Sequence, residues 1–502
     1  MDKRNTFIVL VFSVTNILFH LIFSCNLEYH RDELLYFSLG DHLSTGYYSV
    51  PPMIGWIAFV MKNLFGNSVF AVRLFPAILS GFLVYLTALS VKELGGKTFA
   101  IIVSCLGIIF MPVTLRAYHL FQPVHIDIFF WTLILFLTIK YFKYKNNTVL
   151  IYLGVVVGLS VLNKYLVVLL ILSLLLSISL TDKRKLLQNK YLYLSFIISI
   201  TIFLPNFLWQ YNHGFPVFSH MTELNETQLA NVDRWYFLSD QLLMGFTFSI
   251  FTVAGILFFL KNKSYRYLGL TSIFVIGTLL FLRGKSYYTI GMFPILLAGG
   301  SVYIEKIVKD WRLRTLFIIL PVLLVLPILP LGVPIFKQDG LVNFFQKLED
   351  KHGLIMGRRF EDGSIHSLPQ DYADMLGWEE LVMKVTIAFN EIPDKSQALI
   401  YAENYGQAGA INIIGKKYDL PSVVSFNESF IYWIPNRLEN DIRYFIYVND
   451  ELGDDIQALF QTIVHIGEVT NIHAREYGTT VYLCSNPRSS FSLFYKEILD
   501  QL

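Results

Sequence analysis

The chain has 502 residues, of which 54% are hydrophobic and 16% charged, with a formal net charge of +2. Soluble proteins carry about 25% charged residues, and the deficit falls on the first 335 positions, which hold nearly all the long apolar runs. This balance excludes an ordinary soluble protein, supplies no basic stripe for a nucleic-acid backbone, and leaves three cysteines, Cys25, Cys105 and Cys484, with no readable disulfide framework.

Met1-Asp2-Lys3-Arg4 precedes an apolar run from Phe7 to Phe23. A cleaved signal peptide is the competing reading. No small-x-small cleavage site follows, however, and the run is long enough to span, so a retained anchor is expected. A bilayer core about 30 Å thick needs about 20 apolar residues in a helix. Such runs fall near 6–24, 69–91, 98–113, 124–142, 190–209, 237–260, 267–282, 286–304 and 313–334. The stretch 149–180 is too long for one span and is interrupted by Asn163-Lys164, so it reads as two short helices, 149–162 and 165–180. The expectation is therefore an α-helical polytopic membrane protein with about eleven transmembrane helices.

Loop charges give the orientation. With Lys3 and Arg4 cytoplasmic, alternate loops should be basic, and they carry Lys92/Lys97, Lys140/Lys143/Lys145, Lys183/Arg184/Lys185/Lys190, Lys261/Lys263/Arg266 and Lys306/Lys309/Arg312/Arg314. The opposite loops, 25–68, 114–123, the Lys164 turn, 210–236 and 283–285, carry few. An odd number of spans puts the remainder outside. Two domains are expected: 1–335 in the membrane and 336–502 as an extracytoplasmic α/β domain. In the latter, Ala398–Ala402, Val423–Phe426, Tyr444–Val448 and Thr479–Cys484 read as strands, and Tyr405–Ile414 and Asp454–Ile463 as helices. Gly406-Gln407-Ala408-Gly409-Ala410 lacks the third glycine and downstream acid of a dinucleotide site, so close packing of a helix on a sheet explains it better.

Ionisable groups at membrane depth or in outer loops mark function in a membrane protein. The loop after the first span holds Glu28, His30, Arg31, Asp32 and Glu33, followed by Leu34–Leu43, which suits a helix lying in the interface plane with Trp56 and tyrosines as anchors. Asp32 and Glu33 are candidate catalytic carboxylates; the bland alternative is that they cap this helix, for which one carboxylate suffices. Tyr47-Tyr48-Ser49-Val50-Pro51-Pro52 ends that section in extended chain. Asp127 sits at the outer mouth of a span, in Pro123-Val124-His125-Ile126-Asp127. A carboxylate facing lipid there costs a few kcal/mol, so a wet cavity or a cation partner is expected, with Arg116, His119 and His125 near in sequence. Carboxylates and histidines can also hold a divalent metal, but no ligand spacing here is diagnostic. Lys164, Arg283 and Lys285, the last two beside Tyr287 and Tyr288, are outer cations against the loop bias. Snorkelling at helix ends is the bland account; convergence on an anionic phosphate is the functional one.

The Asp32-Glu33 pair after the first span, the paired prolines, the Asp127 segment and Gly158-Leu159-Ser160-Val161-Leu162-Asn163-Lys164-Tyr165 together resemble the polyprenyl-phosphate-sugar glycosyltransferases of the GT-C fold. The similarity is to glycosyltransferase family 39, with the protein O-mannosyltransferases and lipid A aminoarabinose transferases. It covers roughly residues 1–335. Arg283-Gly284-Lys285-Ser286-Tyr287-Tyr288 with Pro294, Leu368-Pro369-Gln370, Gly377-Trp378 and Asn404-Tyr405-Gly406 also look like bacterial members.

The resemblance implies inverting transfer of a sugar from a polyprenyl-phosphate donor to a lipid, protein or polysaccharide acceptor on the outer face. It implies Asp32 as general base or acceptor-orienting group, Glu33 and Asp127 in the same catalytic set, and Lys164, Arg283 and Lys285 on the donor phosphate. Tyr287, Tyr288 and His125 would line the substrate cavity, with no cofactor required and a divalent metal as the alternative use of the acids. Many relatives have His or Lys before the paired prolines where this chain has Val50, so acceptor class is not inferred from that loop. A lipid or solute transporter is the main competing class, since intramembrane charges and broken helices fit it too; no repeat relates the two halves. A receptor whose outer domain stacks a glycan on Trp378 or Trp433 is a third.

Overall fold

The computed structural model describes residues 1–500 except 228, 230, 231, 356, 361, 362, 439 and 440. Among the described residues seven helices are long and apolar enough to cross a membrane, or eight if Thr98–Phe110 and Pro112–His119, bent by 57°, form one span. The bend has a local cause: Met111, held extended before Pro112, ends the first helix, and Pro112 opens the second. Helix occupies every segment expected to span. Three of them, Thr148–Val161, Val167–Ser179 and Arg266–Phe281, are shorter apolar helices, and a fourth short one, Met53–Phe65, was not anticipated as a helix. The chain is a multi-pass membrane protein.

It divides into two compact units, Met1–Ser24 with Ser44–Ile54 and Arg73–Ile335, and Cys25–Leu43 with Gly55–Val72 and Phe336–Leu502. The segment carrying Asp32 and Glu33 thus folds with the C-terminal residues.

The first unit is built from apolar helices around one large core. Its tightest pair is Ser249–Lys261 with Phe293–Ile307: a Cβ on Gly255 would overlap the carbonyl of Leu296, and one on Gly300 that of Phe251. Small residues allow this backbone approach where lipid gives no hydrophobic drive between helices. Glu305, 7% exposed, accepts from the backbone N–H groups of Lys97 (2.6 Å) and Ala100 (3.2 Å), so this buried acid serves the start of Thr98–Phe110.

The second unit holds a four-stranded sheet of order β1-β2-β4-β3, with β1 Ala398–Ala402, β2 Tyr444–Asn449, β3 Phe460–Glu468 and β4 Thr480–Pro487. β1 and β2 are parallel, with Ile400 opposite Ile446, and the other pairs antiparallel, with Tyr447 opposite Tyr482 and Val464 opposite Leu483. A parallel pair needs a crossover, and the Tyr405–Ile414 helix lies in it. Two expectations are corrected. Val423–Phe426 is not a strand but a single bridge, Tyr401 to Val424, and the helix expected over Asp454–Ile463 stops at Leu459, where β3 begins.

Candidate functional site

In the first unit, Gln122 is extended and Pro123 opens the Pro123–Tyr144 helix, its missing N–H costing nothing there. Asp127 follows one turn later. It is 4% exposed, and its Oδ1 has no hydrogen-bond partner among the described residues. Asn163, fully buried at the break between the two short helices, donates its side-chain amide to the carbonyl of Pro123 at 3.0 Å. That bond ties the break to the helix of Asp127 and brings Lys164, the next residue, into electrostatic range of the carboxylate.

Lys164 Nζ lies 4.8 Å from the ring centroid of Tyr288 and 5.4 Å from that of Tyr287, and Lys285 Nζ lies 6.0 Å from that of Tyr287. Both tyrosines belong to the 3-10 turn Ser286–Met292. The turn is fixed by Thr289, whose hydroxyl donates to Gln241 Oε1 at 2.6 Å, and by Ser286, whose hydroxyl donates to Asp240 Oδ2 at 2.6 Å. A Cβ on Gly291 would meet Trp131 of the Asp127 helix at 2.5 Å, so the turn packs closely on that ring. Lys285 is also in electrostatic range of Lys164. One carboxylate and two ammonium groups are thus gathered beside an aromatic wall. Two like charges repel, and an anion between them removes that cost.

The remaining expected residues of this unit are placed differently. Arg283 is exposed at a turn with φ of 54°. His125 is fully buried: its ring packs on Phe75, Tyr118 and Phe121, and its Nδ1 accepts from the Gln122 N–H at 3.4 Å. His220, which the sequence did not single out, lies in the loop helix Pro216–Thr227, edge-on to Tyr48 at 6.3 Å and in electrostatic range of Lys285 and Glu223. Burial, then the positive Lys285, hold its imidazole below the usual histidine range, against the pull of Glu223.

In the second unit the Asp32-Glu33 pair divides its labour. Glu33, wholly buried, accepts from the backbone N–H of His30 at 2.8 Å and completes a capping box for the Arg31–Ser38 helix. Asp32 instead accepts a hydrogen bond from the hydroxyl of Tyr405 at 3.0 Å. The Arg31 guanidinium lies 4.6 Å from the Tyr405 ring centroid. Burial lowers the Arg31 pKa, but Tyr405, Glu476, Asp374 and Asp32 together outweigh it and raise the value. Asp374 is raised by burial, against His30, Arg475 and Arg31; Arg475 reaches its Oδ1 at 3.3 Å. Glu28 accepts from the N–H groups of Trp378 (2.8 Å) and Glu379 (3.1 Å), and so caps the Trp378–Asn390 helix.

The Arg31–Ser38 helix does not present its apolar side for lipid, as expected from sequence. Leu34, Leu35 and Phe37 are buried. Nor do Gly406 and Gly409 face the sheet: a Cβ on Gly406 would meet Arg31 Cγ at 2.7 Å, and one on Gly409 would meet Leu34 Cβ at 2.8 Å. The small face of Tyr405–Ile414 is there to bring it onto Arg31–Ser38. Trp378 is wholly buried. Among the described residues no group of three or more His, Cys, Asp or Glu side chains could hold a metal ion.

The family model described as dolichyl-phosphate-mannose-protein mannosyltransferase matches residues 49–209, which include Asp127 and Lys164. The fold is similar to the crystal structure of ArnT from Cupriavidus metallidurans in the apo state, with a TM-score of 0.63 and 13% identity over 96% of this chain and 98% of that one. For the same protein bound to undecaprenyl phosphate the TM-score is 0.61, with 13% identity over 95% and 98%. The fold is GT-C. A search of curated proteins finds no match. Family match and GT-C fold together indicate a membrane glycosyltransferase. Sequence reasoning placed Arg31 beside Asp32 but did not single out Tyr405 or His220 as site neighbours. Each becomes a neighbour only through contacts between distant parts of the chain.

Proposed function

We propose that this protein is an inverting glycosyltransferase that takes a sugar from a polyprenyl-phosphate donor and joins it to an acceptor hydroxyl on the outer face of the membrane. The observation that carries the reading is the Lys164–Lys285 pair of ammonium groups beside Asp127 and against Tyr287 and Tyr288, an arrangement suited to a lipid phosphate. The family match over residues 49–209 and the undecaprenyl phosphate bound to the ArnT neighbour support that donor class. The loop charges support a cytoplasmic N-terminus and an extracytoplasmic C-terminal part.

In the proposed reaction Asp32 takes the proton of the acceptor hydroxyl, whose oxygen forms the new bond to the anomeric carbon. The bond from that carbon to the phosphate oxygen breaks with its electron pair. A lipid phosphate is a good leaving group, so no general acid is needed; Lys164 and Lys285 stabilise the charge that returns to it. General-base help contributes about 10²–10⁴ in rate.

The test is mass spectrometry of surface glycans in cells with this protein, without it, and with Asp32→Asn at equal abundance. A glycan mass present with the native chain and lost with Asp32→Asn is expected. An undiminished glycan with Asp32→Asn removes the proposed base. Movement of labelled undecaprenyl phosphate across vesicles, with no new glycosidic bond, makes the protein a transporter.

A further inference from the structure

The contact between Asp32 and Tyr405 spans 373 positions of sequence, and several features hold it in place. Asn404 caps the Tyr405–Ile414 helix, its side-chain oxygen accepting from the N–H groups of Gly406 (2.9 Å) and Gln407 (3.0 Å), while Gln407 returns the capping box. Gln407 Nε2 is anchored in turn on Glu476 Oε2 at 2.8 Å. The glycine face then lets this helix approach Arg31–Ser38 closely enough for the first residue of one helix to meet the first turn of the other. Arg31 lies over the Tyr405 ring and restrains it from the other side.

We infer that Tyr405 is a positioning residue for the base: its hydroxyl, donated to Oδ1 of Asp32, fixes the orientation in which that carboxylate meets the acceptor hydroxyl. This rests on the reading of Asp32 as the base. It gives the C-terminal residues a part in catalysis, because the group that orients the base comes from them. A carboxylate oxygen committed to a buried phenol no longer shares its rotation with water, and a preoriented base needs less reorganisation when the proton moves. The phenol is suited to this duty throughout the working pH range. Burial first, and the charge of Asp32 second, hold its pKa well above that of a free tyrosine, so it remains a donor. It adds no base of its own. Glu33, wholly buried, is held instead at the start of the Arg31–Ser38 helix by its capping bond to the His30 N–H.

A structural contact and a positioning contact differ in what their loss changes. Removing the hydroxyl loosens the orientation of the Asp32 carboxylate, which slows transfer without weakening binding of the lipid phosphate. The experiment uses the full chain in detergent and in cells, as native protein, Tyr405→Phe and Asp32→Asn. Binding of undecaprenyl phosphate is titrated in detergent, thermal unfolding is followed in the same preparations, and the surface-glycan product is quantified by mass spectrometry in cells at equal protein abundance. Tyr405→Phe is expected to lower the surface-glycan product about tenfold, with the Kd for undecaprenyl phosphate unchanged and the melting temperature lower by a few degrees at most. Conservative removal of one oxygen leaves the ring and its Arg31 contact in place; Tyr405→Trp, which cannot place a donor at the same point, serves as a second variant should Tyr405→Phe fold poorly. Full product from Tyr405→Phe, or a product loss matched by an equally weakened Kd for undecaprenyl phosphate, overturns the positioning role, even if Asp32→Asn is dead. Full product from Asp32→Asn instead overturns the base on which the inference rests.

Discussion

Asn163 and Pro123 lie 40 residues apart, yet the side-chain amide of the first meets the carbonyl of the second at 3.0 Å, where one helix starts and another breaks. The bond decides where Lys164 points, because Lys164 follows immediately and its own N–H is tied to the carbonyl of Ser160 at 2.9 Å. Asn163→Ala keeps both helices but frees the break. The expected loss is about 1 kcal/mol of stability, the usual net worth of such a bond, with binding of undecaprenyl phosphate weakened severalfold. Thermal unfolding in detergent and titration with that lipid measure the two effects; a stability loss with intact binding separates Lys164 from the phosphate.

Lys164→Ala carries the sharper outcome. A hydrogen bond from an ammonium to a phosphate contributes about 1.5–3 kcal/mol, so the Kd for undecaprenyl phosphate should rise by about tenfold or more. Lys164→Arg keeps the charge but replaces a compact donor by a planar fork between two tyrosine rings, and should recover only part of the affinity. The same Kd in Lys164→Ala as in the native chain would leave this lysine as a snorkelling cation.

The close approach of Tyr405–Ile414 to Arg31–Ser38 is testable by adding a single carbon. In Gly409→Ala the new Cβ would meet the carbonyl carbon and oxygen of Leu34 at 2.9 Å, and backbone cannot swing aside as a side-chain tip can. Overpacking of this kind costs about 1–3 kcal/mol. The melting temperature should fall, and transfer should fall further than the stability loss explains, since separating the helices pulls Tyr405 from Asp32. A variant with native stability and native glycan output would show that the spacing is not critical.

The parts of this fold written in local composition were legible. Apolar runs marked the helical segments expected to span, though not Met53–Phe65, and Asn163-Lys164 marked the break, because charge and length report directly on the bilayer. The carboxylate pair was visible too, but not its division of labour: which acid caps the helix depends on rotamers, and what meets the other depends on Tyr405, far along the chain. β3 was misread for a similar reason. It is an edge strand with few buried side chains, so its pattern lacks the alternation of a half-buried strand, and what holds it is pairing with β4 through Thr462–Ser485 and Ile463–Cys484. Gly406 and Gly409 signalled close packing correctly, yet nothing local says whether the partner is a sheet or a helix.

His220 gives the chain a pH response whose sign follows from its surroundings. Its imidazole is half-buried beside Tyr48, and this burial, with the positive Lys285, outweighs the pull of Glu223, so its pKa in the folded chain lies below the 6.5 of the unfolded one. The native state therefore holds His220 neutral in a window where the unfolded chain has already taken a proton. Stability from this group is complete above about pH 6.5 and is lost as pH falls through the lower folded value. His220→Gln, which cannot titrate, should show a flatter melting profile between pH 7 and pH 5, and the native chain should lose ground relative to it on acidification. The difference in melting temperature across that range is the measurement. A native chain that gained on the variant at low pH would mean that Glu223, rather than burial and Lys285, governs the ring.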